Sequence, residues 1–376
     1  MSQEEGPLST PDDAAIGDLP ALRRTASYDY TLPEELVARY PVRRRDRSRL
    51  LVMPRGGGTE PPLRHLRFDA LPRLLAAGDL LVLNESRVLP VRLLGRKPTG
   101  APSEVLLLRP ADPGSDPHLW EALVRPGSKL KPGRRVHVTA SDGEVLEIRI
   151  VDGLPGGGRL VRLETRRSVE SALAHFGEVP LPPYLDRDAE PLDRERYQTV
   201  YAREAGSVAA PTAGLHFTSE LLDEIEGRGV EIARVVLHVG PGTFRPVEVE
   251  RVEDHQMHRE VWEVPESTSR AVERTRERDG RVWAVGTTVV RTLESAAHGS
   301  GGVEAGGGET ELFIAPGYRF QVVDGLITNF HLPRSTLLML VSAFAGHAAT
   351  MAAYREAIRE RYRFYSYGDA MAVVPE

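Results

Sequence analysis

The spacing of apolar and polar positions changes along the chain and predicts two kinds of layer. "FDALPRLLAAGDLLVLNES" predicts a helix, a stop at Gly78-Asp79 and an apolar strand over 80–83. From about Val88 to about Glu178, short alternating runs such as "SEVLLLRP" and "EVLEIRIV" are separated by turns rich in Gly, Pro and Asp. Because side chains alternate between the two faces of a strand, this pattern predicts an antiparallel sheet or small barrel without helices of useful length.

Beyond this region, strands and helices alternate. "GRVWAVG" and "GLITNF" predict strands, and the helices "TTVVRTLESAA" and "TLLMLVSAFAG" follow them. "FTSELLDEIEGRG" predicts a helix with Thr218 as N-cap and Gly229 just past its end, before the strand "VEIARVVLHV". Such alternation predicts an α/β layer with some parallel strands. "DYTLPEELVARYP" predicts a short helix that begins at Thr31 and stops at Pro41.

These segments predict an α/β main domain that is interrupted by an inserted antiparallel β-barrel domain. A chain of 376 residues exceeds what one hydrophobic core normally serves. We expect the α/β domain to comprise residues 27–84 plus 178–376, and the barrel to comprise 85–177. The acidic segment 1–26 contains Pro and Gly but no apolar stretch, and it predicts a flexible N-terminal tail.

Composition narrows the functional classes. The chain has no cysteine, which excludes disulfides, zinc–thiolate sites and thiol nucleophiles and suits a reducing cytoplasm. The longest strongly apolar run begins at Leu337 and is about half of the ~20 residues that a bilayer requires, so no membrane partner is expected. The net charge is −6, yet the segments 39–49 and 125–135 are strongly basic. Such segments either contact phosphates or form ordinary solvated faces.

Polar loops follow several predicted strands, in "VGTT", "TNFHLPRST", "APTAGLHF", "LHVGPGTFRPV" and "YSYGDAM". Ligands of open α/β sheets bind beyond the carboxyl ends of the strands, so we expect these loops to form one cleft. The two threonines that open a helix suit a carboxylate or phosphate, with Arg291 one turn on as its partner. Taken alone, each loop is better explained by helix capping, a surface ion pair or a satisfied histidine. The candidates are Thr212, Gly214, His216, His238, Thr287, Thr288, Arg291, Glu294, Asn329, His331, Ser335, Tyr367 and Asp369.

Other nucleotide and hydrolase motifs are absent from the sequence. It contains no G-x-G-x-x-G after a strand, no G-x-x-x-x-G-K-[ST] and no G-x-S-x-G. His255 and His258 are three residues apart, a spacing that one helical face could offer to a metal. No acidic or cysteine partner stands at metal-site spacing, so a structural or substrate-contacting pair is favoured.

Long phrases closely resemble the S-adenosylmethionine:tRNA ribosyltransferase-isomerases of queuosine biosynthesis. Examples are "GDLLVLNESRVLPVRLLGRK", "REAGSVAAPTAGLHFT", "LHVGPGTFRPV" and "VVDGLITNFHLPRSTLLMLVSAFAG", and the resemblance runs from about Tyr28 to Val373. It implies an α/β domain interrupted by a β-barrel. It also implies transfer and isomerisation of the ribosyl moiety of S-adenosylmethionine onto the aminomethyl group of a 7-deazaguanine at the tRNA wobble position. Epoxyqueuosine forms, and adenine and methionine leave.

The resemblance also suggests roles for the candidate residues. Catalysis needs a general base, an acid for the departing adenine and an anchor for the methionine carboxylate. His216, His238 and His331 are the acid/base candidates, and Thr287, Thr288 and Arg291 are the anion candidates. S-adenosylmethionine is the co-substrate, and no metal or redox cofactor is implied. We expect a set of basic residues to contact the backbone of the anticodon stem-loop. The set comprises Arg43, Arg44, Arg45, Arg47, Arg49, Arg92, Arg96, Lys97, Lys129 and Lys131. We expect a cytoplasmic monomer.

The chain departs from the family pattern at a few places. Glu85-Ser86 precedes Arg87 where Asp-Thr or Asn-Thr is usual, Val289 stands at a common serine, and Pro241 at a frequent leucine. These departures leave the acceptor open. One alternative is an enzyme that acts on a free 7-deazapurine nucleoside or a small amine. Another is an inert tRNA- or nucleotide-binding protein, although the many titratable loop residues argue against it. A methyltransferase is least favoured, because no glycine-rich Rossmann turn precedes an acidic strand end.

Overall fold

The structure is a computed structural model, and it describes residues 19–56, 62–112, 114–240, 246–299 and 301–375. The predictions for the tail residues 1–18 and for Pro241 and Gly242 of the Gly-Pro-Gly turn therefore lie outside the described residues. The strands are β1 Arg49–Pro54, β2 Arg64–Arg67, β3 Leu80–Asn84, β4 Ser86–Val88, β5 Arg92–Arg96, β6 Pro102–Asp112, β7 Asp116–Arg125, β8 Arg135–Thr139, β9 Val145–Gly153, β10 Arg159–Glu164, β11 Glu204–Ser207, β12 Glu231–Leu237, β13 Glu260–Val264, β14 Val282–Val285, β15 Ala297–His298, β16 Gly302–Val303, β17 Gly306–Thr310, β18 Gly325–Asn329 and β19 Ala370–Val374. The α-helices are α1 Leu19–Leu22, α2 Val169–Phe176, α3 Asp193–Arg196, α4 Ser219–Gly227, α5 Glu266–Glu277, α6 Thr287–Ser295, α7 Thr336–Ala345 and α8 His347–Arg359.

A nine-stranded mixed sheet forms the main layer, in the order β17-β13-β12-β3-β14-β18-β19-β1-β2. Its central strands β12, β3, β14 and β18 run parallel, and so do β1 and β19. Strand β19 is antiparallel to β18. The carboxyl ends of the four central strands therefore meet at one edge of the sheet, as the sequence predicts for an α/β layer.

Apolar side chains on both faces of this sheet are buried, which explains why its strands are continuously apolar. Leu80 and Val82 belong to the core on one face, whereas Leu81 and Leu83 belong to the core on the other. Helices α5 to α8 contribute buried residues to the first core, and α4 contributes to the second. The predicted caps are confirmed, since Thr218 and Ser335 accept hydrogen bonds from the first turns of α4 and α7.

The second unit is a closed six-stranded antiparallel barrel with the strand order β10-β7-β6-β5-β8-β9. All six strands lie between Arg92 and Glu164, inside the segment that the sequence assigns to an insertion. The fold class predicted from the sequence is thus confirmed. Helix α2 was not predicted. Its Ala172, Leu173 and Phe176 pack into the barrel core, and eight residues are too short for a clear helical period.

Three local predictions are wrong. Segment 31–40 forms only a 3-10 turn at Glu34–Leu36, because Leu36 and Ala38 pair their backbone with Phe364. The helix predicted after Phe68 is a 3-10 turn over Phe68–Arg73 that contains a proline. Residues 19–26 are not a free tail, since Thr25 is buried and donates to the Val249 carbonyl. The sequence left open whether one helical face presents His255 and His258, and the chain at 255–259 is not helical.

Among the described residues, no single helix combines the length and apolar character of a membrane span. Helices α7 and α8 meet those two criteria only as a pair, and they are bent by 115° at their junction.

Asp79 fixes the amino-terminal edge of the central strands. It is 2% exposed and accepts from the Ala76 and Arg281 backbone N–H groups, at 2.9 and 3.1 Å. It also accepts from the Arg281 guanidinium and, at 3.0 Å, from Trp283 Nε1. The Trp283 ring fits because Gly325 on the neighbouring strand has no side chain, and a Cβ there would lie 2.4 Å from the ring.

Replacing Asp79 by Ala should lower the free energy of unfolding by roughly 3 kcal/mol, because buried donors such as Trp283 Nε1 lose their acceptor. Urea unfolding followed by circular dichroism measures this change. Asp69→Ala is the control, since Asp69 is half-exposed and pairs only with Arg47 at 2.9 Å. That variant should change the free energy by about 0.5 kcal/mol or less. Equal losses in both variants would contradict the role of Asp79.

Candidate active site

One cavity lies at the carboxyl edge of the central strands. Its walls come from the loops after β14 and β18, a 3-10 turn at Thr212–His216 and the segment before β19. The cavity is amphipathic. Its polar lining includes Thr212, Thr287, Thr288, Thr328, Asn329 and His331, and its apolar lining includes Ala210, Ala213, Val239, Phe330, Leu332 and Leu337.

The parallel pairing of β14 with β18 brings two of these loops together. The Gly286 N–H donates to the Ile327 carbonyl at 2.7 Å, which ties the end of β14 to β18. Gly286 has φ 92°, a conformation that favours glycine, and it is the N-cap of α6 without a side-chain cap. The helix therefore begins at Thr287 beside the cavity, with an uncapped first turn whose N–H groups suit an anion.

Asn84, which sequence reasoning missed, joins three elements at this edge. Its Nδ2 donates to the Leu237 carbonyl at 3.0 Å and to Thr288 Oγ1 at 3.3 Å. Its Oδ1 accepts from the Ser86 and Leu237 N–H groups. Asn84 thus ties the ends of β3 and β12 to the first turn of α6. The only signal in the sequence is a polar residue at the end of an apolar strand.

Asn329 ends β18 and is 2% exposed. Its Nδ2 donates to the Tyr365 carbonyl at 3.2 Å and contacts His216 Nε2 at 3.1 Å. Nδ1 of the same imidazole lies 2.8 Å from Ser48 Oγ, and the ring stacks on Phe68. His216 therefore lies behind Asn329 and does not line the cavity. Burial lowers the pKa of His216 to about 3, and Arg363 and Arg45 add to the effect.

His331 lines the cavity directly. Its Nε2 lies 2.7 Å from Thr328 Oγ1, and its backbone N–H donates to Tyr354 Oη at 2.8 Å. Tyr30 Oη donates to its carbonyl. Burial lowers the pKa of His331 to about 3, so this imidazole is neutral near pH 7. The neutral imidazole has an unprotonated ring nitrogen, and a pKa this low makes it a weak base.

Two tyrosines that were not predicted also line the cavity. Tyr365 has φ 72°, which is strained for a residue with a large side chain and is typical of functional sites. Tyr184 Oη lies 2.6 Å from Ser366 Oγ, and the Tyr184 ring packs against that of Tyr365. Because the two are far apart in the sequence, no local pattern predicts this aromatic wall.

Arg291 and Glu294 do not line the cavity, contrary to the sequence expectation. The Arg291 guanidinium forms a buried ion pair with Glu260 and donates to the Leu312 carbonyl at 3.1 Å. Glu294 accepts from the N–H groups of Gln321, Val322 and Val323 at 2.9–3.1 Å. Both face protein partners, because helical residues one and two turns after Thr287 reach beyond the cavity.

Four other candidates also serve neighbouring protein groups. Gly214 lets the backbone approach the Tyr201 side chain closely, since a Cβ at this position would lie 2.1 Å from Tyr201 Oη. Ser335 is the N-cap of α7. Tyr367 Oη donates to Asp193 at 2.7 Å, and Asp369 accepts from the Arg49 and Arg363 N–H groups. Burial raises the pKa of Asp369.

His238 lines a different cavity, with Trp262, Glu263 and residues 306–309. Its imidazole packs against Gly206, where a Cβ would lie 2.6 Å from the ring. Burial lowers the pKa of His238, whereas Glu204 and Glu263 oppose the change. The adjacent Val239 lines the first cavity, so the alternation of side chains separates the two. The expectation that the three histidines share one cavity is therefore wrong.

Some members of the predicted basic set bind carbonyl or carboxylate groups of the protein, and others are exposed or half-exposed without an ion pair among the described residues. Arg45 donates to the Glu195 and Leu215 carbonyls, and Arg49 donates to the Glu360 carbonyl and lies 3.6 Å from the Tyr362 ring centroid. These two are held internally, so they are poor phosphate ligands. Arg44, Arg47 and Arg92 pair with Asp46, Asp69 and Glu104. The structure gives no ion pair within the described ranges to the exposed or half-exposed Arg43, Arg96, Lys97, Lys129 and Lys131.

One cluster on the barrel has side chains of types that bind metals. Possible ligand atoms of Asp142, Glu144 and His175 lie within 4.8 Å of one another. Glu144 is also held by the Arg167 guanidinium at 2.5 Å, and both carboxylates are exposed. The cluster belongs to a surface ion-pair network, far in the sequence from the cavity loops.

The two buried histidines should make stability depend on pH. Their pKa falls from 6.5 when unfolded to about 3 when folded. Protons therefore bind the unfolded chain more readily than the folded one. The free energy of unfolding is highest above pH 6.5 and decreases as the pH falls from 6.5 towards 3. Each histidine should cost about 2 kcal/mol between pH 7 and pH 5. Denaturant unfolding at the two pH values measures the loss, and His216→Gln should reduce it by about 2 kcal/mol. An unchanged pH dependence in that variant would contradict the assignment.

Comparison with known proteins agrees with this fold. Residues 25–373 match the sequence profile of a family described as queuosine biosynthesis protein. Proteins named S-adenosylmethionine:tRNA ribosyltransferase-isomerase from Trichlorobacter lovleyi and Symbiobacterium thermophilum are 50% and 52% identical. The alignments cover 92% and 93% of this chain and 98% and 100% of those proteins. The crystal structure of S-adenosylmethionine tRNA ribosyltransferase from Thermotoga maritima is 38% identical, with a TM-score of 0.52. It covers 93% of this chain and 100% of its own. The chain therefore belongs to the queuosine biosynthesis protein family.

Proposed function

We propose that this protein is an S-adenosylmethionine-dependent tRNA ribosyltransferase-isomerase. It transfers and isomerises the ribosyl moiety onto the aminomethyl group of 7-aminomethyl-7-deazaguanine at the tRNA wobble position. The product is epoxyqueuosine, and adenine and methionine are released. The proposal includes recognition of the anticodon stem-loop by a monomer in the cytoplasm.

The observation that carries the proposal is the convergence of distant motifs on one cavity. Thr212, Thr287 and Asn329 come from three separate loops, yet they line the same space. Relatives with the corresponding enzyme name align over nearly the whole chain at about half identity. An inert binding protein would not need a neutral histidine and an uncapped helix start in one cavity.

The chemistry of the cavity fits S-adenosylmethionine as the co-substrate. The co-substrate supplies a sulfonium that acidifies the adjacent ribose C5′ protons. The uncapped start of α6 at Thr287 and Thr288 suits the methionine carboxylate. Apolar walls at Ala213, Val239 and Leu337 suit the faces of a nucleoside and exclude water.

His331 is the acid/base candidate that best fits the geometry, because it contacts the cavity and is neutral near pH 7. Thr328 Oγ1 at 2.7 Å holds its Nε2, and the bonds of Tyr30 and Tyr354 fix its backbone. A pKa lowered to about 3 makes this imidazole a weak base, so His331 takes a proton only where a bound substrate stabilises the protonated ring. We therefore assign proton transfer to His331 rather than to His216 or His238.

Exposed cations on the barrel provide a surface for the RNA backbone. Arg96 and Arg125 line a groove on the barrel together with His137, and Lys97 follows Arg96 in the chain. Lys129 and Lys131 are exposed in the loop after β7. Phosphate contacts of this kind position a tRNA without reading its sequence.

The reaction is tested with S-adenosylmethionine and tRNA that carries the aminomethyl-deazaguanine base. Mass spectrometry of tRNA nucleosides should detect epoxyqueuosine, and adenine and methionine should appear in equal amounts. His331→Gln should lower turnover by about 100-fold or more, since proton transfer is lost. His347→Gln is the matched control, because His347 binds the Ser27 carbonyl and does not line the cavity. Methyl transfer to the tRNA, or release only with the free nucleoside, would contradict the proposal.

The RNA surface is tested by the salt dependence of KM for tRNA. KM should rise steeply with salt, and the slope of log KM against log salt should fall by about 1–2 in the Lys129→Ala/Lys131→Ala double variant. Arg270→Ala is the control, since Arg270 is exposed on α5 and pairs with Glu266. A slope that is the same in the wild type and the double variant would contradict these contacts.

A further inference from the structure

Asn329 lines the cavity, and its side chain carries a buried acceptor that has no partner among the described residues. Its Nδ2 contacts both the Tyr365 carbonyl and His216 Nε2. A carbonyl only accepts, so the amide NH₂ group must be on this side and Oδ1 on the other. Oδ1 is buried and has no hydrogen-bond partner among the described residues. A buried amide oxygen without a donor is costly, so a hydrogen bond from a ligand bound beside Asn329 would stabilise it.

The orientation of Asn329 determines which nitrogen of His216 carries the proton. Because Nδ2 of Asn329 donates, Nε2 of His216 must accept and Nδ1 must carry the hydrogen. Nδ1 then donates to Ser48 Oγ at 2.8 Å, and Ser48 Oγ donates to the Arg45 carbonyl at 3.3 Å. The chain of bonds ends on a backbone carbonyl, so its direction cannot be reversed. The stacked Phe68 ring, with centroids 4.9 Å apart, holds the imidazole plane.

We infer that His216 is a positioning residue that holds Asn329 so that Oδ1 accepts an N–H hydrogen bond from S-adenosylmethionine. The inference rests on the proposed function and names a contact within the same cavity. S-adenosylmethionine has two N–H groups of the required kind, the 6-amino group of adenine and the α-ammonium of methionine. His216 itself does not touch the substrate, because both of its nitrogens are already bonded inside the protein. Its lowered pKa is consistent with this role, since protonation of Nε2 would abolish the acceptor.

The test compares variants that keep or remove the acceptor at the position of Nε2. His216→Gln supplies an oxygen for Asn329, whereas His216→Phe keeps a ring against Phe68 but supplies no acceptor. We expect His216→Phe to weaken S-adenosylmethionine binding about 10- to 100-fold, in Kd by calorimetry and in KM, with kcat changed less than KM. His216→Gln should stay within about threefold of the wild type. His347→Phe is the control for the substitution itself and should bind normally.

The pairing is tested by combining variants. Asn329→Ala should weaken binding as much as His216→Phe, and the double variant should be no weaker than Asn329→Ala alone, since both remove one interaction. Losses that multiply, or wild-type Kd in His216→Phe, would overturn the inference. If His216→Phe does not fold by circular dichroism, Ser48→Ala replaces it. Ser48 lies outside the cavity, and its loss should weaken binding about 3- to 10-fold. Unchanged binding would again overturn the inference.

Two analogues identify the donor. One has hydrogen in place of the adenine 6-amino group, and the other lacks the α-ammonium. The analogue that lacks the true donor should bind the wild type and Asn329→Ala equally, and the other should still distinguish them. If both analogues distinguish the wild type from Asn329→Ala as S-adenosylmethionine does, neither N–H group donates to Asn329 Oδ1 and the inference is overturned. A wild type that binds S-adenosylmethionine but releases no adenine with modified tRNA contradicts the proposed function alone, because the Kd comparison still tests His216.

Discussion

The parallel alignment of β3, β12, β14 and β18 is the constraint on which the candidate site depends. Parallel strands end at the same edge, so the loops that follow β14 and β18 must meet. Asn84 ties the ends of β3 and β12 to α6, while Asp79 and Trp283 hold the opposite edge of the same strands. The cavity is therefore formed by regular elements that are fixed at both ends, and it does not depend on one flexible loop.

The three candidate histidines occupy different places around the sheet edge and have different contacts. His331 lines the first cavity, His216 lies behind Asn329, and His238 lines another cavity. All three carry a lowered pKa, so the pKa alone does not distinguish them. The distinction comes from what each ring nitrogen contacts. Of the three histidines, His331 lines the first cavity, whereas His216 contacts Asn329 and Ser48.

Much of the fold could be predicted from the sequence, because local patterns carry it. Alternation predicts the barrel strands, and the caps Thr218 and Ser335 mark α4 and α7. The prediction failed at 31–40, where long-range pairing with Phe364 replaces local helical bonds. Helix α2 was missed because packing against the barrel core, rather than its own period, stabilises it.

The candidate site was predicted less completely, since contacts across the chain decide it. The loop residues Thr212, Thr287, Thr288, Asn329 and His331 do line one cavity. Sequence spacing could not reveal that Arg291 pairs with Glu260, or that Arg45 and Arg49 bind internal carbonyls. Ser48 and Asn84 were missed for the same reason, because the partners that tie them to the site, His216 and Leu237, are more than 150 residues away.

The most direct measurement is a crystal structure of the protein with S-adenosylmethionine bound. The account predicts density between the start of α6 and Asn329, with an N–H group of the ligand within hydrogen-bond distance of Asn329 Oδ1. Density instead in the cavity beside His238, with Asn329 Oδ1 still unpaired, would contradict it.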